Sequence, residues 1–211
     1  MDNPHDYRAV SSELLLEAPI IAVRRDEVTM PGETTAKREV VEHMGAVAIV
    51  AMDEEDRVAM VDQYRHSVGQ RLREIPAGLL DIAGEDPLTA AQRELQEEAG
   101  LEASSWELLV DIVNSPGYSE EACRVFLARG LTEVDREQST GDEEADMGFT
   151  WKPLEDAISA IFRGEISNSI AVAGILAAAT LNGRGRDPHA DFELRPTSIA
   201  QRRSGPDLKA L

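Results

Sequence analysis

Residues 85–101 constrain this chain more than any other stretch, because they specify a short helix with both ends marked. Asp86 is a residue type that caps helix N-termini, and Pro87 suits the first helical position, where its missing N–H costs nothing. Gly100 suits the left-handed position that ends a helix. The pattern predicts a helix between Asp86 and Gly100, preceded by a glycine-containing loop that starts at Pro76.

Three glutamates lie on one face of this predicted helix. Glu94, Glu97 and Glu98 stand at positions i, i+3 and i+4, which project to the same side. Like charges at this spacing repel each other, and a bound hard cation such as Mg²⁺ would turn the repulsion into attraction. The spacing leaves two interpretations open, a metal site or a solvated acidic face on an acidic protein.

The composition limits the partners of the chain. Its 211 residues, 42% of them hydrophobic, suffice for one well-buried domain with a small N-terminal addition. Forty acidic residues against 21 basic ones give a net charge of −19, which argues against nucleic acid or an anionic membrane as a partner. A phosphorylated small molecule remains compatible, because a bound metal ion can supply local positive charge.

Cysteine content and hydropathy favour a cytoplasmic protein. Cys123 is the single cysteine, so an internal disulfide framework is excluded and a reducing compartment is favoured. The first residues show no basic start followed by an apolar run, and the apolar stretch 170–179 is too short to span a bilayer.

The order of predicted elements indicates an α+β fold. Several hairpins alternate with few helices, which favours an α/β/α sandwich with a mixed central sheet over a doubly wound parallel sheet. We expect an N-terminal β-subdomain at residues 1–43 and a catalytic domain at 44–182. Residues 183–211, rich in Gly, Pro, Arg and Asp, predict a loose C-terminal tail.

Residues 93–101, Arg-Glu-Leu-Gln-Glu-Glu-Ala-Gly-Leu, resemble the core of the Nudix box, the signature of hydrolases that act on nucleoside diphosphates linked to another group. Glu85 precedes Arg93 by seven residues, as the full box requires. The departure is at Gly78, which precedes Glu85 by six residues where the box has five, so the loop carries one extra residue. The resemblance implies the Nudix sandwich fold and favours the metal-site interpretation.

A wider resemblance, over roughly residues 10–180, is to the ADP-ribose pyrophosphatase branch of this family and most of all to its actinobacterial members. The motifs that carry it are Arg38-Glu-Val-Val-Glu-His43, Gln63-Tyr-Arg65, Glu74-Ile-Pro-Ala-Gly78, Ser115-Pro-Gly117 and Glu143-Glu144-Ala-Asp146. The resemblance implies Mg²⁺-dependent hydrolysis of ADP-ribose to AMP and ribose 5-phosphate, with Mn²⁺ as a possible substitute metal, by a homodimer.

The resemblance also implies roles for the acidic residues. Glu94 and Glu98 are the first candidates for metal ligands, with Glu97 third, and the backbone carbonyl of Ala77 is a further candidate. Arg93 is expected to orient the carboxylates. The general base is expected in a late loop, at Glu144 or, failing that, Glu143, although both are also readable as solvated acids.

Substrate contacts are predicted for five further residues. Arg38 and Glu39, in the N-terminal subdomain, are expected at the adenosine end of the substrate, either within one chain or across a dimer interface. Arg65 is expected to hold a phosphate, with a structural salt bridge as an equal alternative. Ser119 and Glu120 are expected to line the pocket of the terminal ribose.

Two competing functions stay open at this point. The first keeps the hydrolase chemistry and changes the substrate to another nucleoside diphosphate sugar, a dinucleotide or an oxidised nucleotide. The second is a non-catalytic module that senses ADP-ribose. The complete set of box carboxylates argues against the second.

Overall fold

The computed structural model describes residues 5–135 and 146–211, and within these ranges the chain forms ten strands and four helices. The strands β1 to β10 are Ala9–Glu17, Ile21–Met30, Thr34–His43, Ala46–Ala51, Arg57–Arg65, Gln70–Glu74, Ala77–Leu79, Leu101–Val113, Ala122–Glu133 and Gly148–Pro153. The helices α1 to α4 are Pro87–Ala99, Leu154–Phe162, Ser169–Ala179 and Ser198–Arg202.

The first three strands form a separate antiparallel sheet in the order β1-β2-β3. Every residue of β1 is exposed, including the apolar side chains of Val10, Leu14 and Leu16. Among the sheet's contacts with the rest of the chain, the N–H of Val41 in β3 donates to the carbonyl of Tyr118 at 2.7 Å. The edge strand β1 therefore leaves apolar surface and backbone groups available for another chain.

The central sheet is mixed, as the sequence predicts. Its order is β7-β4-β9-β8, with β4 and β9 parallel and the other two pairs antiparallel. A second antiparallel sheet, in the order β10-β5-β6, accompanies it. The nearly continuous apolar run of β4 is explained by its position, because all six of its residues are buried.

Alternate residues of β4 face two different hydrophobic clusters, and this places helices on both sides of the sheet. Val47 and Ile49 pack in the cluster that contains Leu95 of α1. Ala48 and Val50 pack in the other cluster, to which α2 and α3 contribute Ala157, Ala160, Ala171 and Ile175. The predicted α/β/α sandwich is confirmed.

The predicted loose tail at residues 183–211 is wrong, because this segment packs against the domain. Ile199 of α4 is 0% exposed and Leu208 is 2% exposed, and both bury against Met44. The composition of the segment does not reveal these contacts, because its few apolar residues are spread among polar ones.

A buried arginine of the central sheet provides a further anchor for the same segment. Arg124 of β9 is 1% exposed, and it pairs with Asp111 through two hydrogen bonds of 2.7 and 3.0 Å. It also donates to the carbonyls of Ala190 and Asp191, and its guanidinium lies 4.5 Å from the centre of the Phe192 ring. The ion pair thus binds backbone of the C-terminal segment to the sheet.

Within the described ranges, no helix combines the length and the apolar composition that a bilayer crossing requires.

Candidate active site

Helix α1 begins and ends where its caps predict. The Asp86 side chain accepts hydrogen bonds from the N–H groups of Leu88 and Thr89, at 2.9 and 3.3 Å. Gly100 adopts the left-handed conformation with φ 64°, and its N–H bonds to the carbonyls of the last turn. These two ends fix the register of the helix and therefore the direction of its glutamates.

Two of the three glutamates of α1 are buried between the helix and the central sheet. Glu94 is 8% exposed and Glu98 is 6% exposed, whereas Glu97 is only partly buried. Buried carboxylates are unfavourable without compensating partners. The interpretation as a plain solvated face therefore fails for Glu94 and Glu98.

Gly78 of β7 makes room for one of these carboxylates. A Cβ atom added at Gly78 would lie 1.9 Å from Cδ of Glu94 and 2.2 and 2.3 Å from its two carboxylate oxygens. The close approach requires glycine at this position. The glycine of the loop motif and the first glutamate of the helix thus form one structural unit.

Arg93 links the carboxylates of the site. Its guanidinium donates to Glu94 at 2.6 Å, to Glu97 at 3.1 Å and to Glu85 at 3.2 Å. Burial alone would lower the pKa of Arg93, but the hydrogen bonds and charges of Glu85 and Glu94 raise it above its ordinary value. Arg93 is therefore a fixed positive charge that orients three glutamates.

Glu94 stays incompletely compensated despite this partner. Burial raises the pKa of Glu94 to about 7; Arg93 opposes the shift, and the negative charges of Glu97 and Asp81 add to it. A carboxylate held in this way gains from any further cation placed beside it. The electrostatics of the site favour cation binding.

The donor set fits a hard divalent cation. Glu94, Glu97 and Glu98 offer carboxylate oxygens, the ligand type that Mg²⁺ and related ions prefer. The side chains are at present bound to protein groups, since Glu98 accepts the N–H of Ala77 at 2.9 Å and the other two accept from Arg93. Accordingly, no three potential metal-ligating side chains within residues 5–135 and 146–211 are already gathered around one point.

Two adjoining cavities extend from the carboxylates. The first, of about 510 Å³, is lined by the three glutamates of α1 together with Gly78, Asp81, Arg93 and Lys209. The second, of about 600 Å³, is lined by His43, Asn114, Ser115, Glu121 and Asn168 among others. Arg65, Ala77 and Gly78 are among the residues that border both cavities, so the two cavities adjoin and form one groove.

Arg65 has the structural salt bridge that the sequence left as an alternative. It donates to both carboxylate oxygens of Glu74, at 2.9 and 2.7 Å, and Glu74 is 3% exposed. Arg65 also borders both cavities. The salt bridge holds Arg65 in place at the groove, and its predicted phosphate contact stays a prediction.

The loop between β7 and α1, where the extra residue falls, is bound by the C-terminal segment. Ala83 donates its N–H to the carbonyl of Pro206 at 2.8 Å, and Leu208 donates to the carbonyl of Asp81 at 2.7 Å. The Lys209 ammonium lies 2.5 Å from the Asp81 carboxylate. Sequence reasoning missed Asp81 and Lys209, because the contact joins distant parts of the chain.

The remaining predicted substrate residues lie elsewhere in a single chain. Arg38 and Glu39 are exposed on β3, where Glu39 pairs with Arg25 at 2.8 Å, and neither residue borders the two cavities. Glu39 thus presents its carboxylate to the N-terminal sheet. Within a single chain, Arg38 and Glu39 are therefore not part of the groove.

Ser119 and Glu120 also border neither cavity. The Ser119 hydroxyl accepts the N–H of Glu121 at 3.1 Å, and the Glu120 carboxylate accepts from Arg24 at 3.1 Å and from Ser198 at 2.9 Å. Their place in the groove is taken by other residues of the same loop, Asn114, Ser115 and Glu121. The two base candidates, Glu143 and Glu144, lie outside the described residues.

Comparison with known proteins places this α/β/α sandwich, with its buried helical glutamates beside a groove, in a class of hydrolases. The family model described as "NUDIX domain" matches residues 42–171, more than half of the chain. The chain belongs to the NUDIX family.

Relatives extend the likeness over nearly the whole chain. An ADP-ribose pyrophosphatase of Mycobacterium tuberculosis is 53% identical over 203 residues, 95% of this chain and 98% of the relative. A methanol dehydrogenase activator of Bacillus methanolicus is 34% identical over 171 residues, 81% of this chain and 91% of the relative. A crystal structure of an ADP compounds hydrolase has a TM-score of 0.74 at 19% identity, covering 89% of this chain and 100% of that one, and it supports the fold.

Proposed function

We propose that this chain hydrolyses the pyrophosphate bond of ADP-ribose, with one water consumed and AMP and ribose 5-phosphate released. The observation that carries the proposal is the unit of Gly78, Arg93 and the buried Glu94 at the head of a two-part groove. The 53% identity to the mycobacterial ADP-ribose pyrophosphatase, over 95% of this chain, supports the choice of substrate.

The proposed metal is Mg²⁺, with Mn²⁺ as a substitute. Glu94, Glu97 and Glu98 would hold it, together with the carbonyl of Ala77, which lies in β7 beside Glu98. When bound, such an ion neutralises pyrophosphate oxygens and lowers the pKa of a water. The protein orients the metal-binding carboxylates, because Arg93 bonds to them and Gly78 leaves space for Glu94.

The other proposed roles concern the substrate. Arg65, held by Glu74, would bind a phosphate oxygen, and Glu144 or Glu143 would accept the proton of the attacking water. Arg38 and Glu39 would reach the adenosine end from the partner chain of a homodimer. Support for the dimer comes from the exposed apolar residues of the edge strand β1.

We further propose a cytoplasmic enzyme whose partner is a nucleotide sugar rather than nucleic acid or a membrane. The net charge of −19 disfavours both polyanionic partners. The single cysteine, Cys123, is buried, and burial raises the pKa of its thiol, which suits a packing role in a reducing compartment.

The decisive test is to incubate the protein with Mg²⁺ and ADP-ribose and to follow AMP formation. Wild type is expected to turn over and the Glu94→Gln, Glu98→Gln double variant is expected to be inactive. A panel of alternative substrates is tested in the same assay and ranked by kcat/KM. It contains other nucleoside diphosphate sugars, dinucleotides and an oxidised nucleoside triphosphate. If the protein binds ADP-ribose but does not cleave it with any of several divalent metals, the proposal of hydrolysis is wrong and a sensing function takes its place.

A further inference from the structure

Lys209 of the C-terminal segment reaches into the cavity that holds the helical glutamates. It lines this cavity together with Asp81, Glu94 and Glu98, and its Nζ atom lies 2.5 Å from an Asp81 oxygen. The Lys209 side chain is 47% exposed, and the residue borders the same cavity as the helical glutamates. A cation in this position is not part of the box motif.

The backbone around Lys209 is fixed by the loop that precedes α1. Ile82 and Asp207 form an antiparallel bridge, and Leu208 donates its N–H to Asp81 at 2.7 Å. The N–H of Lys209 in turn donates to the Asp207 carboxylate at 2.8 Å. Because Leu208 is 2% exposed, the residue before Lys209 is also held by burial.

Arg203 adds a support from the N-terminal sheet. It donates to the carbonyls of Ala18 and Pro19, in the turn between β1 and β2, at 2.6 and 2.7 Å. It also donates to the carbonyl of Leu208, and its side chain is 5% exposed. Three separate parts of the chain therefore determine where Lys209 stands.

Lys209 differs from the other two cations of the cavity in its ion-pair partners. The first cavity is bordered by three cations, of which Arg93 is committed to glutamates of the site and Arg65 to Glu74. A lysine ammonium has three donor hydrogens, and among the described residues its ion-pair partner is Asp81. The remaining donors suit a negatively charged oxygen in the groove.

We propose that Lys209 is a substrate-binding residue whose ammonium holds a phosphate oxygen of the nucleoside diphosphate, with Asp81 keeping the ammonium in position. The inference rests on the proposed function for the identity of the substrate. It assigns the C-terminal segment a direct part in the site, beyond packing.

The test compares Lys209→Met, which keeps the aliphatic stem, with Lys209→Arg, which keeps the charge. Lys209→Met is expected to raise KM for ADP-ribose about 10- to 100-fold, the range of a charge-assisted hydrogen bond, with a smaller change in kcat. It is also expected to raise the inhibition constant of inorganic pyrophosphate. Lys209→Arg is expected to restore most of both values.

The matched control is Lys152→Met in β10, which removes a lysine that borders neither cavity. Thermal unfolding and Mn²⁺ binding of the Lys209 variants are measured in parallel. Unchanged KM and inhibition constants in Lys209→Met would overturn the proposal, as would a rise in KM that accompanies a fall in Tm and is not reversed by arginine. If wild type does not cleave ADP-ribose, the proposed function fails, and pyrophosphate binding by calorimetry still tests Lys209.

Discussion

The Glu94 carboxylate lies within 2.3 Å of the point that a Cβ atom at Gly78 would occupy. The two residues come from the short strand β7 and from helix α1. A side chain at position 78 and the present position of Glu94 are therefore mutually exclusive. Gly78 does not have a positive φ, so backbone conformation is not the reason for glycine at this position. The reason is the space that the Glu94 carboxylate occupies.

Gly78→Ala is expected to reduce turnover about 100-fold or more while changing the free energy of unfolding by less than about 1 kcal/mol. The displaced atoms are the far end of a flexible glutamate, so the fold accommodates the methyl group but the carboxylate leaves its place. Steady-state kinetics and urea unfolding measure the two effects. Gly148→Ala is the control, because the added Cβ would meet Asp62 at an ordinary 3.4 Å.

Glu94→Gln is expected to stabilise the protein at pH 8 in the presence of a chelator. In the unfolded chain Glu94 ionises near the ordinary value of 4.5, whereas in the folded chain burial raises its pKa to about 7. As the pH rises through this window, the unfolded state loses its proton first, so wild type loses stability. The loss reaches about 3 kcal/mol above pH 7, and Gln removes it.

Urea unfolding of both proteins from pH 4 to pH 8 checks this expectation. The two free energies should agree near pH 4, where the glutamate is protonated in both states, and should diverge as the pH rises. Parallel curves would mean that the pKa of Glu94 is close to its ordinary value in the folded protein.

Arg124→Met is expected to cost about 2 to 4 kcal/mol of unfolding free energy, because the partly buried Asp111 carboxylate loses its two-bond partner and keeps only the more exposed Arg186 at 3.3 Å. The carbonyls of Ala190 and Asp191 lose their donor as well. Urea unfolding measures the loss. Arg163→Met removes an exposed arginine paired with Glu165 and is expected to leave the unfolding midpoint unchanged. Equal effects of the two substitutions would contradict the anchoring role of Arg124.

Glu144→Gln is expected to lower kcat by about two to four orders of magnitude, the usual contribution of a general base, with little change in substrate or metal binding. Glu143→Gln is the neighbouring control and should retain most of the activity. Steady-state kinetics with ADP-ribose and Mn²⁺ titration separate the two quantities. A normal kcat in Glu144→Gln together with a low kcat in Glu143→Gln would move the base by one residue.

The parts of the fold that the sequence predicts are those with local causes. Asp86, Pro87 and Gly100 mark the ends of α1 within a few residues, and the unbroken apolar run of β4 indicates a strand buried on both faces. The C-terminal segment escapes such reasoning. Its packing depends on Ile199, Leu208 and the distant Arg124, and composition carries no information on those contacts.

In the site, too, the features with local causes are predicted and those that depend on tertiary contacts are not. The spacing of the glutamates predicts their common face, and Arg93 four residues before Glu97 predicts the ion pair that is present at 3.1 Å. The burial that separates Glu94 and Glu98 from Glu97 follows from tertiary packing. Asp81 and Lys209 meet only because the C-terminal segment returns to the loop before α1.

The anchoring of Arg203 has a consequence for the order of folding. Its hydrogen bond to the carbonyl of Pro19 spans 184 residues of sequence. We expect contacts of such separation to form late, because the entropy of closing the intervening chain is lost before the contact is gained. Helix α1 and its glutamates can thus assemble early, while the cavity wall that carries Lys209 closes in one of the last steps, so refolding should recover helical structure before it recovers activity.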